Sequence, residues 1–299
     1  MMRREFLVGI AATSATTASL ARTADSREAE KTCFVTARDG TKLFVREAGQ
    51  GRPVLFLHSW ALSSEMWRHQ FADLAPDGFR AMAYDRRGHG ASDVPASGYD
   101  MDRLADDLAD IIEALDLRDL VLVGHSMGGA EIIRYVGRHG TARIAKIVLL
   151  APTTPYLLRT ADNPYGAPAA YFEAVRAAWT ADFPGWIEQN KRPFFTPDTP
   201  PDQVEWLAGL MARTPVPVLV ACNRAVVETD LRPDLARVDR PTLVIQGDKD
   251  ASAPLEMTGR RTASGIVGAK LDVYPGAPHG LFLTHRARVN RDVLAFMDA

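Results

Sequence analysis

Short, continuously apolar runs recur along this chain: Val-Leu-Phe-Leu at 54–57, Leu-Val-Leu-Val at 120–123 and Ile-Val-Leu-Leu at 147–150. A run that is apolar at every position, rather than at every second one, has no face to give to water. Such runs predict strands buried on both sides, as in a parallel sheet held between two layers of helices. Eight strands are expected, at 33–36, 43–46, 54–58, 80–84, 120–124, 146–150, 242–246 and 271–274. Asp39-Gly40 between the first two is a hairpin signal, so that pair should be antiparallel. Helical patterns fill the gaps. Leu104, Leu108, Ile111, Ile112 and Leu115 form a 3-4 stripe over 101–115, a second helix runs over 127–138 and stops at Gly140, and a third closes the chain at 288–297. Alternation of this kind predicts an α/β architecture: a mostly parallel eight-stranded sheet with helices on both faces.

One stretch breaks the alternation. From about 152 to 235 no strand pattern appears, proline is frequent, and aromatics gather from Tyr156 to Trp206. It reads as a helical cap inserted between two strands of one sheet. The length of 299 residues fits one large α/β domain or two small ones. Strands of one sheet on both sides of the stretch favour a cap over a separate helical domain, and 46% hydrophobic with 24% charged residues is ordinary globular usage. A net charge of −2 with no Lys/Arg block leaves no electrostatic footprint for nucleic acid. Cys33 and Cys222 lie far apart without Cys-x-x-Cys spacing, which excludes a disulfide scaffold and a cysteine zinc cluster; both are expected free.

The first 24 residues follow a different logic. Arg3-Arg4 precedes an apolar stretch from Phe6 to Leu20 and then small residues, the order of a secretory signal. Arg3-Arg4-Glu5-Phe6-Leu7 looks like the twin-arginine export signature. The stretch is too short and too rich in Ser and Thr for a membrane span, which needs roughly 20 apolar residues. Cleavage is expected after Ala21 or Ala24, leaving 25–299 as one domain in the periplasm or outside the cell.

The chemistry sits at strand ends. Gly124-His125-Ser126-Met127-Gly128 matches G-x-S-x-G at the junction of an apolar strand and a helix, the context that gives the motif its meaning. The turn there is crowded, so glycines are needed, and it pushes the Ser126 hydroxyl out at the carboxyl end of the sheet, where open α/β folds bind ligands. Serine needs a base, and the base needs an orienting carboxylate. His279 follows the last strand in Pro275-Gly-Ala-Pro-His279-Gly280, a loop able to turn a side chain back over the site. After the penultimate strand Asp248 and Asp250 compete for the acid; position favours Asp250, with Asp248 anchoring the turn. The oxyanion needs two backbone donors, expected from the amides of Met127 and Trp60. Of the other histidines, His58 is expected to fix its loop, His125 to pack beneath the site and His89 to support a turn, while His69, His139 and His285 are expected solvated or at helix ends. Trp60, Leu281 and Phe282 suggest an apolar acyl or aryl pocket.

At these residues the chain resembles the α/β-hydrolase superfamily, and within it the cofactor-free chloroperoxidase and aryl-esterase family. The likeness rests on residues 57–67 (LHSWALSSEMW), 84–93 (YDRRGHGASD), 124–152, 231–235 (LRPDL), 247–254 (GDKDASAP) and 275–281 (PGAPHGL). It implies an α/β-hydrolase fold, a triad of Ser126, Asp250 and His279, and hydrolysis of aryl or short-chain esters without metal or haem. It also implies that perhydrolysis and nonspecific halogenation can accompany the esterase. Two departures bear on this: Ser59 stands where the family usually has Gly, and Ala61 where members associated with perhydrolysis commonly have Pro. The expected activity is an exported serine esterase acting on a small-molecule ester, with no nucleic acid, membrane span or cofactor. Perhydrolase or lactonase chemistry on the same triad, or a non-catalytic small-molecule receptor, are the alternatives. Dehalogenases and epoxide hydrolases are disfavoured because they place Asp at the nucleophile.

Overall fold

The computed structural model describes residues 30–74 and 78–299; the expected leader at 1–24 lies outside the described residues. Eight strands form one sheet: β1 (Lys31–Thr36), β2 (Lys42–Ala48), β3 (Arg52–Leu57), β4 (Phe79–Tyr84), β5 (Leu120–His125), β6 (Ile144–Leu150), β7 (Thr242–Gly247) and β8 (Lys270–Tyr274). Their order across the sheet is β1-β2-β4-β3-β5-β6-β7-β8. β1 and β2 pair antiparallel around Gly40, whose φ of +89° supplies the left-handed turn. β2 also runs antiparallel to β4, and every other neighbouring pair is parallel.

The apolar runs are explained by where alternate side chains go. Leu55 and Leu57 of β3, with Leu120 and Leu122 of β5, face one core, while Val54 and Phe56, with Val121 and Val123, face the other. Ten helices surround this sheet: α1 (Arg68–Leu74), α2 (Met101–Ala114), α3 (Met127–His139), α4 (Ala169–Asn190), α5 (Pro201–Met211), α6 (Val216–Glu228), α7 (Arg232–Leu235), α8 (Gly259–Gly265), α9 (Leu281–Thr284) and α10 (Arg286–Asp298), counted among the described residues. α2 and α3 bury Leu104, Leu108, Ile111, Ile132 and Ile133 against the first face. α1 and α10 bury Phe71, Leu74, Val293 and Met297 against the second. α2 begins at an Asp100 cap whose carboxylate accepts the Arg103 amide at 2.9 Å. α3 ends at Gly140, with φ +73°. No single helix among the described residues is long and apolar enough to cross a membrane. Both cysteines are free; Cys222 is buried and Cys33 is exposed on edge strand β1.

Helices α4 to α7 occupy the insertion between β6 and β7. Asp182 leaves helical geometry inside α4 (φ −159°, ψ 87°), two residues before Pro184, and its carboxylate accepts the Gly185 amide at 2.9 Å, restarting the helix. Trp179, Phe183 and Ile187 of α4 pack with Ala208 of α5 and Leu219 of α6 as a third apolar cluster, which also holds Ala61 from the loop after β3.

A buried ion pair ties the two halves of the main domain. Arg86, just beyond β4, is 1% exposed and Glu131 on α3 is 0% exposed. The guanidinium holds Glu131 through Nε and Nη2, and Tyr84 donates to the same carboxylate at 3.2 Å. Removing one partner of such a pair leaves an uncompensated charge in the core. Glu131→Ala should therefore lose about 3–5 kcal/mol in urea unfolding. Asp102→Ala, which removes a half-exposed partner of Arg134 and Arg138, should lose about 1 kcal/mol or less. Equal losses would show that the buried pair has no special weight.

Candidate active site

Parallel register brings the strand ends into line: Leu57 of β3 lies beside Gly124 of β5, Gly124 beside Leu149 of β6, and Gly247 of β7 beside Tyr274 of β8. The loops that follow therefore open at one edge of the sheet. Ser126 stands between β5 and α3 with φ +57° and ψ −118°, a strained conformation for a residue with a Cβ. Crowding enforces it. A Cβ at Gly124 would lie 2.6 Å from the Gly128 carbonyl carbon, and one at Gly128 would lie 2.5 Å from the Leu57 oxygen. The Ser126 amide is tied to the Leu150 carbonyl at 2.9 Å and its carbonyl accepts the Gly129 amide at 3.0 Å, so the turn is clamped on both sides.

His279 and Asp250 meet. His279 Nδ1 lies 2.7 Å from Asp250 Oδ2, and both residues are buried. Carboxylates accept only, so Nδ1 carries the proton and Nε2 is left as an acceptor. Asp250 is itself immobilised: Oδ1 accepts the amides of Ser252 (2.9 Å) and Ala253 (2.7 Å), and Oδ2 accepts Gln246 Nε2 (2.8 Å). Asp248 has a different task, accepting the Gly276 amide at 2.6 Å and so fixing the loop that leads to His279. Ser126 and His279 both face a cavity of about 320 Å³. Trp60 and Met127 line it too, and among the described residues neither of their amides is spent on a backbone or side-chain acceptor.

The loop carrying Trp60 is held from below. Arg86 Nη2 donates to the His58 carbonyl at 2.9 Å, and the Arg86 amide donates to His58 Nε2 at 2.9 Å. His58 Nδ1 in turn bonds the Ser59 carbonyl at 2.7 Å. His89 Nε2 reaches the Trp60 carbonyl at 2.7 Å. The Trp60 indole donates to the Leu219 carbonyl in the cap at 2.8 Å and stacks on Trp179, ring centroids 4.2 Å apart. His125 lies under the site, its Nε2 bonded to the His279 carbonyl at 2.9 Å and its ring 4.7 Å from that of His279. The remaining histidines are peripheral: His139 ends α3 beside Asp106, His285 caps α10 beside Thr284, and His69 lies against Arg286.

Leu281 and Phe282 are not on the cavity wall, contrary to expectation. α9 begins directly after Gly280 and turns both inward, where Phe282 packs on Trp67 and His125 (centroids 5.7 and 5.0 Å) and its carbonyl accepts Gln70 Nε2. The wall is built instead from the cap: Tyr171, Phe172, Trp179 and Trp186 of α4, and Phe194 and Phe195 beyond it. Sequence reasoning missed Gln246 and the Arg86–Glu131 pair. Their signals are a lone amide in the apolar run of β7 and a lone carboxylate in the apolar stripe of α3.

A family model described as the alpha/beta hydrolase fold matches residues 52–286. The chain is 40% identical over 272 residues to a non-heme chloroperoxidase of Kitasatospora aureofaciens, covering 88% of this chain and 98% of that one. It is 35% identical over 276 residues to a bifunctional esterase/perhydrolase of Acinetobacter calcoaceticus, covering 88% and 99%. Its structure matches that of an esterase from Exiguobacterium antarcticum with a TM-score of 0.86, at 30% identity and over 89% and 99% of the two chains.

Burial pushes the pKa values of His58, His89 and His125 below the ordinary imidazole value; the Arg86 charge adds to this for His58 and His89, and His279 does for His125. For His89 the value falls from 6.5 to about 3. Between those limits the unfolded chain takes up a proton that the folded one refuses. Stability present above pH 6.5 is therefore lost as the pH drops toward 3. Each such ring adds a slope of about 1.4 kcal/mol per pH unit. The urea midpoint should fall between pH 7 and pH 5, and His89→Gln should flatten that fall by one proton; an unchanged slope would refute the assignment.

Proposed function

Since the chain belongs to the α/β-hydrolase family, in its cofactor-free haloperoxidase and esterase branch, we propose that it is a serine hydrolase that cleaves carboxylic esters of the aryl or short-chain alkyl type. The observation that carries this reading is the Asp250–His279 bond of 2.7 Å at the wall of the cavity that Ser126 enters from its strained turn. His279 Nε2 takes the hydroxyl proton as Ser126 Oγ attacks the ester carbonyl. The negative charge that develops on the carbonyl oxygen is met by the Trp60 and Met127 amides. The imidazolium, held by Asp250, returns the proton to the departing alcohol. Water activated by the same ring then releases the acid and restores Ser126.

A second reading shares every residue. The similarity to a non-heme chloroperoxidase and to an esterase/perhydrolase supports attack on the acyl-enzyme by hydrogen peroxide instead of water, giving a peracid. Ala61, directly after Trp60, stands where members associated with perhydrolysis commonly have Pro, so peracid yield is expected to be low. The Arg3-Arg4 leader supports export, which amino-terminal sequencing of periplasmic protein checks: a start at residue 22 or 25 is expected.

Hydrolysis of p-nitrophenyl esters from two to twelve acyl carbons should peak at short chains, in keeping with a cavity of about 320 Å³. Ser126→Ala should lower kcat by roughly 10⁴–10⁶-fold without unfolding the protein, and Asp250→Asn by about 10⁴-fold. Asp248→Asn should leave kcat within about twofold. Full activity in Ser126→Ala would refute the mechanism, and a larger loss in Asp248→Asn than in Asp250→Asn would reverse the choice of acid.

A further inference from the structure

Arg176 of α4 is an anomaly among the buried cations. It is 8% exposed, yet among the described residues no carboxylate pairs with it. The other two buried arginines among the described residues are both paired: Arg86 with Glu131, and Arg87 with Asp107 at 2.6 Å. Taking a guanidinium out of water without a counter-charge is costly and needs a compensating reason. The side-chain partner of Arg176 is an amide: Nη1 donates to Asn223 Oδ1 at 3.1 Å. Asn223, on α6, is on the wall of the active-site cavity.

Guanidinium has donors and no acceptor, so this bond fixes which way the Asn223 amide faces. Its oxygen is turned to Arg176, and its Nδ2, with two N–H groups, is what remains for the cavity. The cation behind polarises that amide and strengthens the donor. The other flexible nitrogen side chains on the wall, an ammonium and an amide, are already occupied, while the unpartnered Trp179 indole N–H is a neutral donor with no cation behind it. Lys191 is held by Glu188 at 2.8 Å and Glu205 at 2.7 Å, and Asn190 Nδ2 donates to the Trp186 carbonyl at 2.8 Å. The wall thus presents one oriented side-chain amide donor that is backed by an unneutralised positive charge.

We propose that Asn223, oriented by Arg176, selects esters that carry a second oxygen acceptor away from the scissile bond, a carboxylate above a ketone and a ketone above a methylene. This rests on the ester-hydrolase reading and narrows it: the substrate is an aryl or short-chain ester with an oxygen at its far end. Asn223 is the binding residue and Arg176 the positioning one. The ranking follows from the charge. A ketone accepts the Nδ2 hydrogen bond alone, whereas a carboxylate also gains from the field of a buried cation.

The test uses two matched series with the mature protein. On the acyl side they are phenyl hexanoate, phenyl 5-oxohexanoate and monophenyl glutarate; on the alcohol side, the acetates of 4-ethylphenol, 4-hydroxyacetophenone and 4-hydroxybenzoate. The readout is the kcat/KM ratio of oxygen-bearing to hydrocarbon ester, divided by the same ratio in Asn223→Leu, so that intrinsic leaving-group reactivity cancels. In at least one series the quotient should reach about tenfold for the ketone and more for the carboxylate. Asn223→Asp, which gives Arg176 its counter-charge and so guards against misfolding, should lose the carboxylate preference or invert it. Quotients within twofold of unity in both series, or an undiminished carboxylate preference in Asn223→Asp, would overturn the proposal while leaving the esterase intact. Absence of turnover on all six esters would overturn both.

Discussion

The Arg86–Glu131 pair is the constraint on which the rest of the site depends. Its two residues come from the end of β4 and the middle of α3, and α3 is the helix that Ser126 opens. Through Nη2 and its own amide, Arg86 also grips the turn that presents Trp60. The helix that Ser126 opens and the loop that carries Trp60 are thereby referred to one buried centre. A guanidinium is suited to this because its planar set of donors fixes several acceptors at once. Burial makes the arrangement stiff, since any displacement would leave a charge or a carbonyl unpaired where no water can replace the partner. Parallel register then does for His279 and Asp250 what the ion pair does for Trp60 and Ser126, bringing β7 and β8 to the same edge of the sheet.

Much of this was legible in the sequence because local chemistry and tertiary demand coincided. The runs at 54–57, 120–123 and 147–150 are apolar throughout because two cores flank the sheet, and they read as buried strands for the same reason. Ser126 could be located because the glycines around it are required by contacts under 3 Å. Asp250 was separable from Asp248 only by position along the loop, and the two carboxylates do prove to have different partners. The eight strands followed from the apolar runs, and the helical insertion from the loss of strand pattern among frequent prolines and gathered aromatics.

What was not legible depends on distant parts of the chain. Leu281 and Phe282 looked like pocket residues because they follow His279, but a four-residue helix has too little periodicity to show which way it faces. Phe282 is instead a floor for His125 and Trp67. Gln246 and Glu131 stand out in their apolar surroundings only once one asks what a buried amide or carboxylate would bond to. The cap was the hardest part: its aromatics serve both a core of their own and the cavity wall, and Trp179 and Trp186 belong to the two at once.

The cap touches the loop of His279 by a route that side-chain chemistry does not control. The Gly280 amide, one residue after His279, donates to the Phe194 carbonyl at 2.9 Å. Both atoms are main chain, so the tether is indifferent to almost every amino-acid replacement in the insertion. Gly280 itself is the exception, since a Cβ there would come within 2.7 Å of the Phe194 ring. The aromatic lining, and with it the shape of the molecule admitted, can thus be rewritten while the main-chain tie beside His279 stays in place. What the backbone holds is thereby separated from what the side chains shape, which leaves this architecture room to change what it admits without moving the loop that carries the histidine.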